Sequence, residues 1–177
     1  MMIRTAVRQI AILLFLMITA VRAEEPTAED SAMSDPARLA PEFTDLTEHR
    51  GNRALHFALE LGVWGAGGFW GYDQAGGMGG VALAAAIPVA TVATWTAFSV
   101  PGDPWLPGGR EGTQPKVAIP GWLRLTYELG VHGLSVWAMH DLGWESGAVA
   151  MAGGTLLHYS VSYQRVAWLL GLRSKTD

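Results

Sequence analysis

The stretch Val81–Val100, VALAAAIPVATVATWTAFSV, decides the fold class because its 20 residues include no charged side chain. A helix rises about 1.5 Å per residue, so a stretch of this length crosses the roughly 30 Å hydrocarbon core of a bilayer. Lipid offers no hydrogen bonds to an open backbone, which favours a helix over irregular structure. Three further apolar stretches are Ala54–Tyr72, Trp122–His140 and Gly147–Gln164. We therefore predict an all-α, integral membrane four-helix bundle.

The composition of the 177 residues supports a membrane protein and excludes several other classes. Half of the residues are hydrophobic and only 16% are charged. The eight Trp and 22 Gly fit helices in lipid, where Trp marks the interfaces and small residues let helices approach closely. The formal net charge of −4 argues against a nucleic-acid partner. The absence of Cys excludes disulfides, thiolate metal sites and Cys nucleophiles.

An internal repeat relates the first two apolar stretches to the last two. A shift of 68 residues aligns Glu60–Val63 with Glu128–Val131 and Asp73 with Asp141, without a gap. Each unit holds two spans, so both copies cross the membrane in the same direction, and the expected symmetry is a pseudo-twofold axis along the membrane normal. The linkers Asp73–Gly80 and Asp141–Ser146 are short. We predict two parallel hairpin repeats.

The chain divides into four predicted regions. Residues 1–23 have two positive charges and then a short apolar run, which is typical of a signal peptide. Residues 24–52 are acidic and poor in large apolar side chains, which predicts a disordered tail. Residues 53–170 form the four-helix domain, and residues 171–177 form a C-terminal tail.

Basic residues indicate how the bundle lies in the membrane. In the four-helix arrangement eight of them fall on one side: Arg50, Arg53, Arg110, Lys116, Arg124, Arg165, Arg173 and Lys175. The two short linkers have none. Since positive loops stay inside, we predict a multi-pass protein of the cell membrane, the inner membrane of a bacterium, with a cytoplasmic C-terminus. A cleaved signal peptide would invert this orientation.

Four sequence stretches resemble a known family. They are Asn52–Leu61, Phe98–Pro104, Val117–Glu128 and His158–Leu170. They are similar to the YrdB-like family, small four-helix bacterial membrane proteins of unknown function, over about residues 52–170. This chain has His56 where the family tends to have Arg, and Gln164 where the family tends to have an acid. The resemblance implies a membrane protein and no particular activity.

Charged residues inside the predicted spans form the first candidate site. Glu60 follows Arg53 by seven residues, and Glu128 follows Arg124 by four. Arg165 approaches the same level from the end of the fourth helix. An intramembrane carboxylate is costly unless it is paired or faces a polar interior. Two hypotheses follow: a two-carboxylate ion or proton site, or a structural clasp between the hairpins.

Two histidines form a second candidate site. His132 and His158 each lie near the tenth residue of their helices, so both are expected near mid-bilayer. Facing imidazoles in a four-helix bundle are able to bind haem or another metal, and Glu128, one turn before His132, is placed to orient its ring. The alternative is that each histidine forms a hydrogen bond within the core. Haem is the one cofactor that the sequence suggests.

Three functions remain open from the sequence. The first is a structural or assembly component, or a partner-binding membrane protein, with the lipid bilayer, another membrane protein or a second copy as partner. The second is a small ion or solute conduit that uses Glu60 and Glu128. The third is a haem-binding redox protein that uses His132 and His158. No strand-elbow motif accompanies the serines, and the glycine runs do not follow a strand, so we expect no enzyme.

Overall fold

The computed structural model describes residues 43–103, 105 and 116–172, which are mainly helical. Its elements in chain order are α1 (Arg50–Ala75), α2 (Gly77–Ala97), β1 (Phe98–Ser99), β2 (Val117–Ala118), α3 (Gly121–Asp141), α4 (Glu145–Val161) and α5 (Tyr163–Leu169). The all-α prediction is confirmed. The signal-like segment 1–23, the acidic tail as far as residue 42 and residues 173–177 lie outside the described residues.

Helices α1 and α2 form a hairpin with a single residue, Gly76, between them. The connection is thus shorter than the predicted linker, because α1 continues to Ala75 and α2 begins at Gly77. Gly76 and Gly77 have φ angles of 59° and 51°. Glycine adopts this left-handed region without a steric penalty, so the chain reverses here without a longer loop. The second hairpin, α3 and α4, turns through residues 142–144, with Gly143 at φ 74°.

Glycines, which have no Cβ atom, let α1 and α2 approach closely near their turn. A Cβ added to Gly80 would lie 2.5 Å from the carbonyl oxygen of Tyr72. Farther from the turn, a Cβ on Gly71 would lie 3.0 Å from the carbonyl oxygen of Leu83. Small residues at both levels therefore set the distance between the two helices.

Helix α1 joins the two hairpins because it packs against α2, α3 and α4. Leu59 and Val63 of α1 and Met151 of α4 form the buried apolar core of this interface. Near the tight turns, the indole N–H of Trp70 donates a hydrogen bond to the Asp141 carboxylate over 2.9 Å. The hairpins thus associate along an apolar middle with a polar contact near the turns.

The fourth helical segment is broken, whereas the sequence predicts an apolar run from residue 147 to residue 170. Helix α4 ends at Val161, Ser162 has φ −106° and ψ 31°, and α5 follows. The first amide groups of a helix lack partners within it, and the Asp45 carboxylate accepts a hydrogen bond from the backbone N–H of Gln164 over 2.9 Å. Residues 43–52 of the predicted disordered tail are therefore structured, because residues 43–45 contact α5 and α1 begins at Arg50.

A short parallel pairing follows α2 and was not predicted. Phe98 pairs with Val117 and Ser99 with Ala118. The Ile119 N–H also donates a hydrogen bond to the carbonyl oxygen of Ser99 over 3.1 Å. The pairing brings together the two ends of the connection between α2 and α3. Asp103 lies in this connection, and its side chain is buried.

Length and composition identify α2 as the one helix, within the described part of the chain, that is long and apolar enough to cross a membrane. Helix α1 contains Glu60, and α3 contains Arg124 and Glu128. Helix α4 has 17 residues. These helices can lie in a membrane only if their charged side chains are shielded from lipid.

Candidate functional site

Glu128 is the centre of a buried charge network. Its Oε1 accepts hydrogen bonds from Arg124 Nε and Arg165 Nη2, both over 2.7 Å. Its Oε2 accepts from Arg165 Nη1 over 3.0 Å and from the Tyr159 hydroxyl over 2.9 Å. Four donors thus engage the two oxygens of one carboxylate. The side chains of Glu128 and Arg165 have no solvent exposure.

Arg165 binds a second carboxylate, that of Asp103. Its Nε donates to Asp103 Oδ1 over 2.9 Å, and its Nη2 donates to Oδ2 over 2.7 Å. Such a two-pronged contact matches the planar guanidinium to the carboxylate. Burial by itself lowers the pKa of Arg165, but Asp103 and Glu128 raise this pKa well above its usual value. Arg165 therefore carries a permanent positive charge between two acids.

Arg124 connects α3 to the end of α2. Its Nη1 donates to the carbonyl oxygens of Trp95 and Phe98 over 2.8 Å and 2.6 Å. The last carbonyl groups of a helix lack partners within it, so a cation at this end fills that need and favours the helix dipole. The guanidinium carbon also lies 4.6 Å from the centre of the Trp95 ring. Arg124 thus fixes the end of α2 against α3.

The network is balanced in charge, since Arg124 and Arg165 oppose Asp103 and Glu128. Because all four side chains are buried, removal of one partner leaves an uncompensated charge, which costs about 3–5 kcal/mol in similar sites. The network ties together α3, α5 and the segment after α2. This is the geometry of a clasp.

Three of the five predicted charge-cluster residues meet, and two do not. Arg124, Arg165 and Glu128 are in contact, whereas Arg53 is exposed. Glu60 instead faces His56, whose Nε2 lies 3.4 Å from Glu60 Oε1. Arg53 lies two turns before Glu60, about 10 Å away along the helix axis. His56 lies only one turn before Glu60 on the same helix face, so it is the nearer partner.

The pairs His56–Glu60 and Arg124–Glu128 occupy equivalent positions of the repeat. The shift of 68 residues places His56 on Arg124 and Glu60 on Glu128. Both pairs have the spacing i, i+4 and are in contact. They differ in solvation, because the Glu60 side chain is 20% exposed and the Glu128 side chain is fully buried.

His158 is buried and contacts α1. Its Nδ1 lies 2.8 Å from Asn52 Oδ1. The Asn52 amide nitrogen donates to the Thr47 carbonyl oxygen over 3.1 Å and to Ser162 Oγ over 2.7 Å, which fixes the orientation of this amide. His158 Nδ1 is therefore the protonated nitrogen of its ring, and Nε2 carries the lone pair.

His132 is also buried, and Glu128 orients its ring through the main chain. His132 Nδ1 lies 2.7 Å from the carbonyl oxygen of Glu128, so Nδ1 is the donor. The Tyr159 ring packs edge-on against both His132 and His158, with ring centres 6.1 and 5.0 Å apart. The haem hypothesis for these two histidines stays a prediction, as does the conduit hypothesis for Glu60 and Glu128.

Four residues of the polar interior were missed from the sequence. Asp103, His56, Asn52 and Trp105 all lie in or beside stretches that carry the family resemblance, but their long-range partners are not readable from spacing. The repeat contains one signal that identifies His56. His56 aligns with Arg124, and both residues lie one turn before an aligned acid, which predicts that the His56 side chain is paired.

The fold and the site together define the class of this protein, a helical bundle of two repeated hairpins around a polar, charge-balanced interior. The chain belongs to the family described as "Protein of unknown function (DUF2568)", whose model matches residues 54–171. It is similar to the uncharacterized protein YrdB of Bacillus subtilis (strain 168), with 29% identity over 119 residues, 67% of this chain and 93% of that relative. No solved structure matches. The predicted resemblance is confirmed.

Proposed function

We propose that this protein is an integral membrane component of the cell membrane, a four-helix bundle of two parallel hairpins whose role is structural or partner-binding rather than enzymatic. The observation that carries this proposal is the distribution of polarity. Charged and polar side chains are buried inside one end of the bundle, around Glu128, and large apolar side chains cover the outside of the helices.

The largest side chains that are fully buried within the described residues are all polar. They are Arg165, His132, His158, Glu128, Thr47, Asp103, Ser99 and Ser162. The apolar cover lies on all four long helices and includes Phe57, Phe69, Val81, Val89, Leu129, Leu134, Val149 and Leu156. In water this arrangement would expose a large apolar area, which monomeric soluble proteins avoid. In lipid it is the favourable one.

The charged residues of α1 and α3 do not prevent these helices from lying in lipid. Over residues 54–72, 77–97, 122–139 and 146–162 the charged side chains are Glu60, Arg124 and Glu128. Arg124 and Glu128 are buried, and the Glu60 side chain is 20% exposed and contacts His56. Helix α4 spans about 26 Å at 1.5 Å per residue, and α5 continues beyond it. The buried network thus accounts for the charged side chains of α3, and the contact with His56 for the acid of α1.

A structural role is supported by the engagement of Glu128. Both of its oxygens accept two hydrogen bonds, so the carboxylate is saturated and poorly placed to act as a base or an ion ligand. Its partners come from α3, α4 and α5, which makes it a junction of the bundle. This contact pattern favours the clasp hypothesis over the two-carboxylate site.

The outer face of α2 supports a partner-binding role. Gly80 is the one buried residue of this helix, and the other residues are partly or fully exposed. An open apolar groove of about 370 Å³ lies beside it, lined by Trp64, Pro88, Val89, Val92 and Ala93. Such a face suits lipid chains or the helix of a membrane partner, including a second copy.

Membrane integration is tested by expressing the full chain, separating the membrane fraction and washing it at alkaline pH. We expect the protein to stay with the bilayer and to need detergent for release. Reconstitution with brominated lipids should also quench part of the fluorescence of the eight Trp. Release by the alkaline wash, or a detergent-free monomeric protein, would overturn the proposal.

A further inference from the structure

Three buried histidines each have one ring nitrogen that faces an oxygen and one that has no partner. Within the described residues, the imidazole nitrogens without a partner are His56 Nδ1, His132 Nε2 and His158 Nε2, and the neighbouring indole nitrogen of Trp105 also has none. Buried polar atoms without a partner are rare in folded proteins, and each needs a physical explanation. Among five histidines, His49 and His140 are exposed and do not share this feature.

The partners of the other nitrogens are of one kind, oxygen acceptors. His158 Nδ1 donates to an amide oxygen of Asn52, His132 Nδ1 faces a main-chain carbonyl, and His56 Nε2 faces the Glu60 carboxylate. A metal-binding histidine almost always donates its second ring N–H to such an oxygen, which orients the ring and raises its basicity. Each ring is thus held in the form that a metal ligand requires.

Two of the three rings lie at the right separation to share one metal ion. The ring centres of His56 and His158 are 5.0 Å apart. Two imidazoles bound to one ion at about 2.0–2.1 Å, with a near-tetrahedral angle between them, have ring centres roughly 5 Å apart. Trp105 packs against both rings, with ring centres 4.3 Å from His56 and 5.6 Å from His158.

Local charge favours a cation at this position. The guanidinium groups of Arg124 and Arg165 are neutralised by Asp103 and Glu128. The Glu60 carboxylate adds a negative charge beside the His56 ring, 3.4 Å from Nε2, where it favours a positive ion on the other ring nitrogen. His56 is six residues into α1, about 9 Å from its start.

We propose that His56 Nδ1 and His158 Nε2 bind a divalent first-row transition-metal ion of the kind that imidazole prefers, such as Zn²⁺, Co²⁺ or Cu²⁺. Within the described residues no three His, Cys, Asp or Glu side chains converge on a metal position. The described residues therefore supply two ligands, and the other coordination positions are available to water or to a small donor molecule. His132, which packs against Trp95 and Tyr159, is not a ligand.

The probe is Co²⁺ added to the detergent-purified, tag-free, metal-stripped full chain, with Zn²⁺ in a competing titration. His49 and His140 are changed to Gln in every sample to remove exposed imidazoles. We expect one Co²⁺ per chain with visible absorption bands that Zn²⁺ displaces. His56→Gln and His158→Gln should each weaken binding by at least about 10-fold, whereas His132→Gln should change it by less than about threefold.

Glu60→Gln provides a variant that keeps both ligands and the fold. Loss of the carboxylate that orients the His56 ring should weaken Co²⁺ binding by about 10- to 100-fold, while the melting temperature in detergent stays near that of the parent. Absence of a Co²⁺ band in the parent chain would overturn the proposal. So would equal binding by His158→Gln, or a loss in His132→Gln as large as in His56→Gln.

Discussion

Arg165 reaches both oxygens of Glu128, with Nη1 at 3.0 Å from Oε2 and Nη2 at 2.7 Å from Oε1. The contact joins α5 to α3, and neither side chain is exposed to solvent. Because the same guanidinium also holds Asp103, one side chain connects three separate parts of the chain. The stability of the bundle should therefore depend strongly on this residue.

Arg165→Ala should lower the free energy of unfolding by about 3–5 kcal/mol, because it leaves Glu128 and Asp103 opposed by Arg124 alone. Arg165→Lys keeps the charge but not the two-pronged geometry, so an intermediate loss is expected. Detergent melting or urea unfolding measures both. The exposed Arg53 provides the control, and Arg53→Ala should change stability by less than about 0.5 kcal/mol. Equal stability of the two Ala variants would contradict the clasp.

Glu128→Gln and Glu60→Gln should differ, although the two acids are equivalent in the repeat. The amide at position 128 would remove a charge from between two guanidinium groups and turn an N–H₂ group toward one of them, at a cost of about 3–5 kcal/mol. Glu60 is partly exposed and pairs with His56, so its loss should cost about 1 kcal/mol or less. The same unfolding measurement compares them. A larger effect at position 60 would show that the network is assigned to the wrong repeat.

Gly80→Ala should destabilise the first hairpin by about 1–3 kcal/mol, because the new methyl group meets the Tyr72 carbonyl oxygen at 2.5 Å. Gly79→Ala, one residue earlier, meets the Ala75 methyl group at an ordinary 3.4 Å and should be close to neutral. Thermal unfolding in detergent gives the comparison. If the two variants have the same melting temperature, α1 and α2 do not pack as described.

Val89→Arg should impair membrane integration. Val89 is 67% exposed and lies near the centre of α2, where an arginine costs about 2.5–3.5 kcal/mol on insertion scales. Met78→Arg, at the start of the same helix and 84% exposed, should be tolerated because the charge reaches the interface. The readout is the fraction of each variant that resists alkaline extraction. Indistinguishable fractions would argue that α2 lies in water or against protein.

A reporter fused after Asp177 tests the orientation. The eight basic residues on one side of the bundle predict a cytoplasmic C-terminus, so a fluorescent fusion should be bright and an alkaline phosphatase fusion inactive. Fusions in the short turn at Gly143 should show the reverse. Active alkaline phosphatase after Asp177 would mean that the N-terminal segment exports the tail and inverts the bundle.

The sequence predicts the helices and the repeat well because both depend on local patterns. Apolar stretches mark α1 to α4, and the spacing of Arg124 and Glu128 predicts a contact that the structure contains. The break at Ser162 was not predicted, since the apolar pattern continues through it and the cause is a distant carboxylate, Asp45. Local hydrophobicity does not carry that information.

The candidate site was predicted in part, for a similar reason. A charged residue that interrupts an apolar stretch is conspicuous in the sequence. This pattern identified Glu128, Arg124 and Arg165. Asp103 lies in a loop, where an acid is ordinary, and only the fold shows that it enters the interior. Likewise, the unpartnered nitrogen of His56 depends on the ring orientation that Glu60 sets. Such features arise from contacts between elements rather than from sequence spacing.

The position of Arg165 after its partners in the sequence has a consequence for synthesis. A ribosome delivers Asp103, Arg124 and Glu128 first, so a nascent chain that lacks α5 contains two carboxylates and one guanidinium in this cluster. The cluster becomes neutral only when α5 has been made and has docked. We therefore expect a chain cut before α5 to retain an unpaired acid and to be less stable than a chain that contains α5.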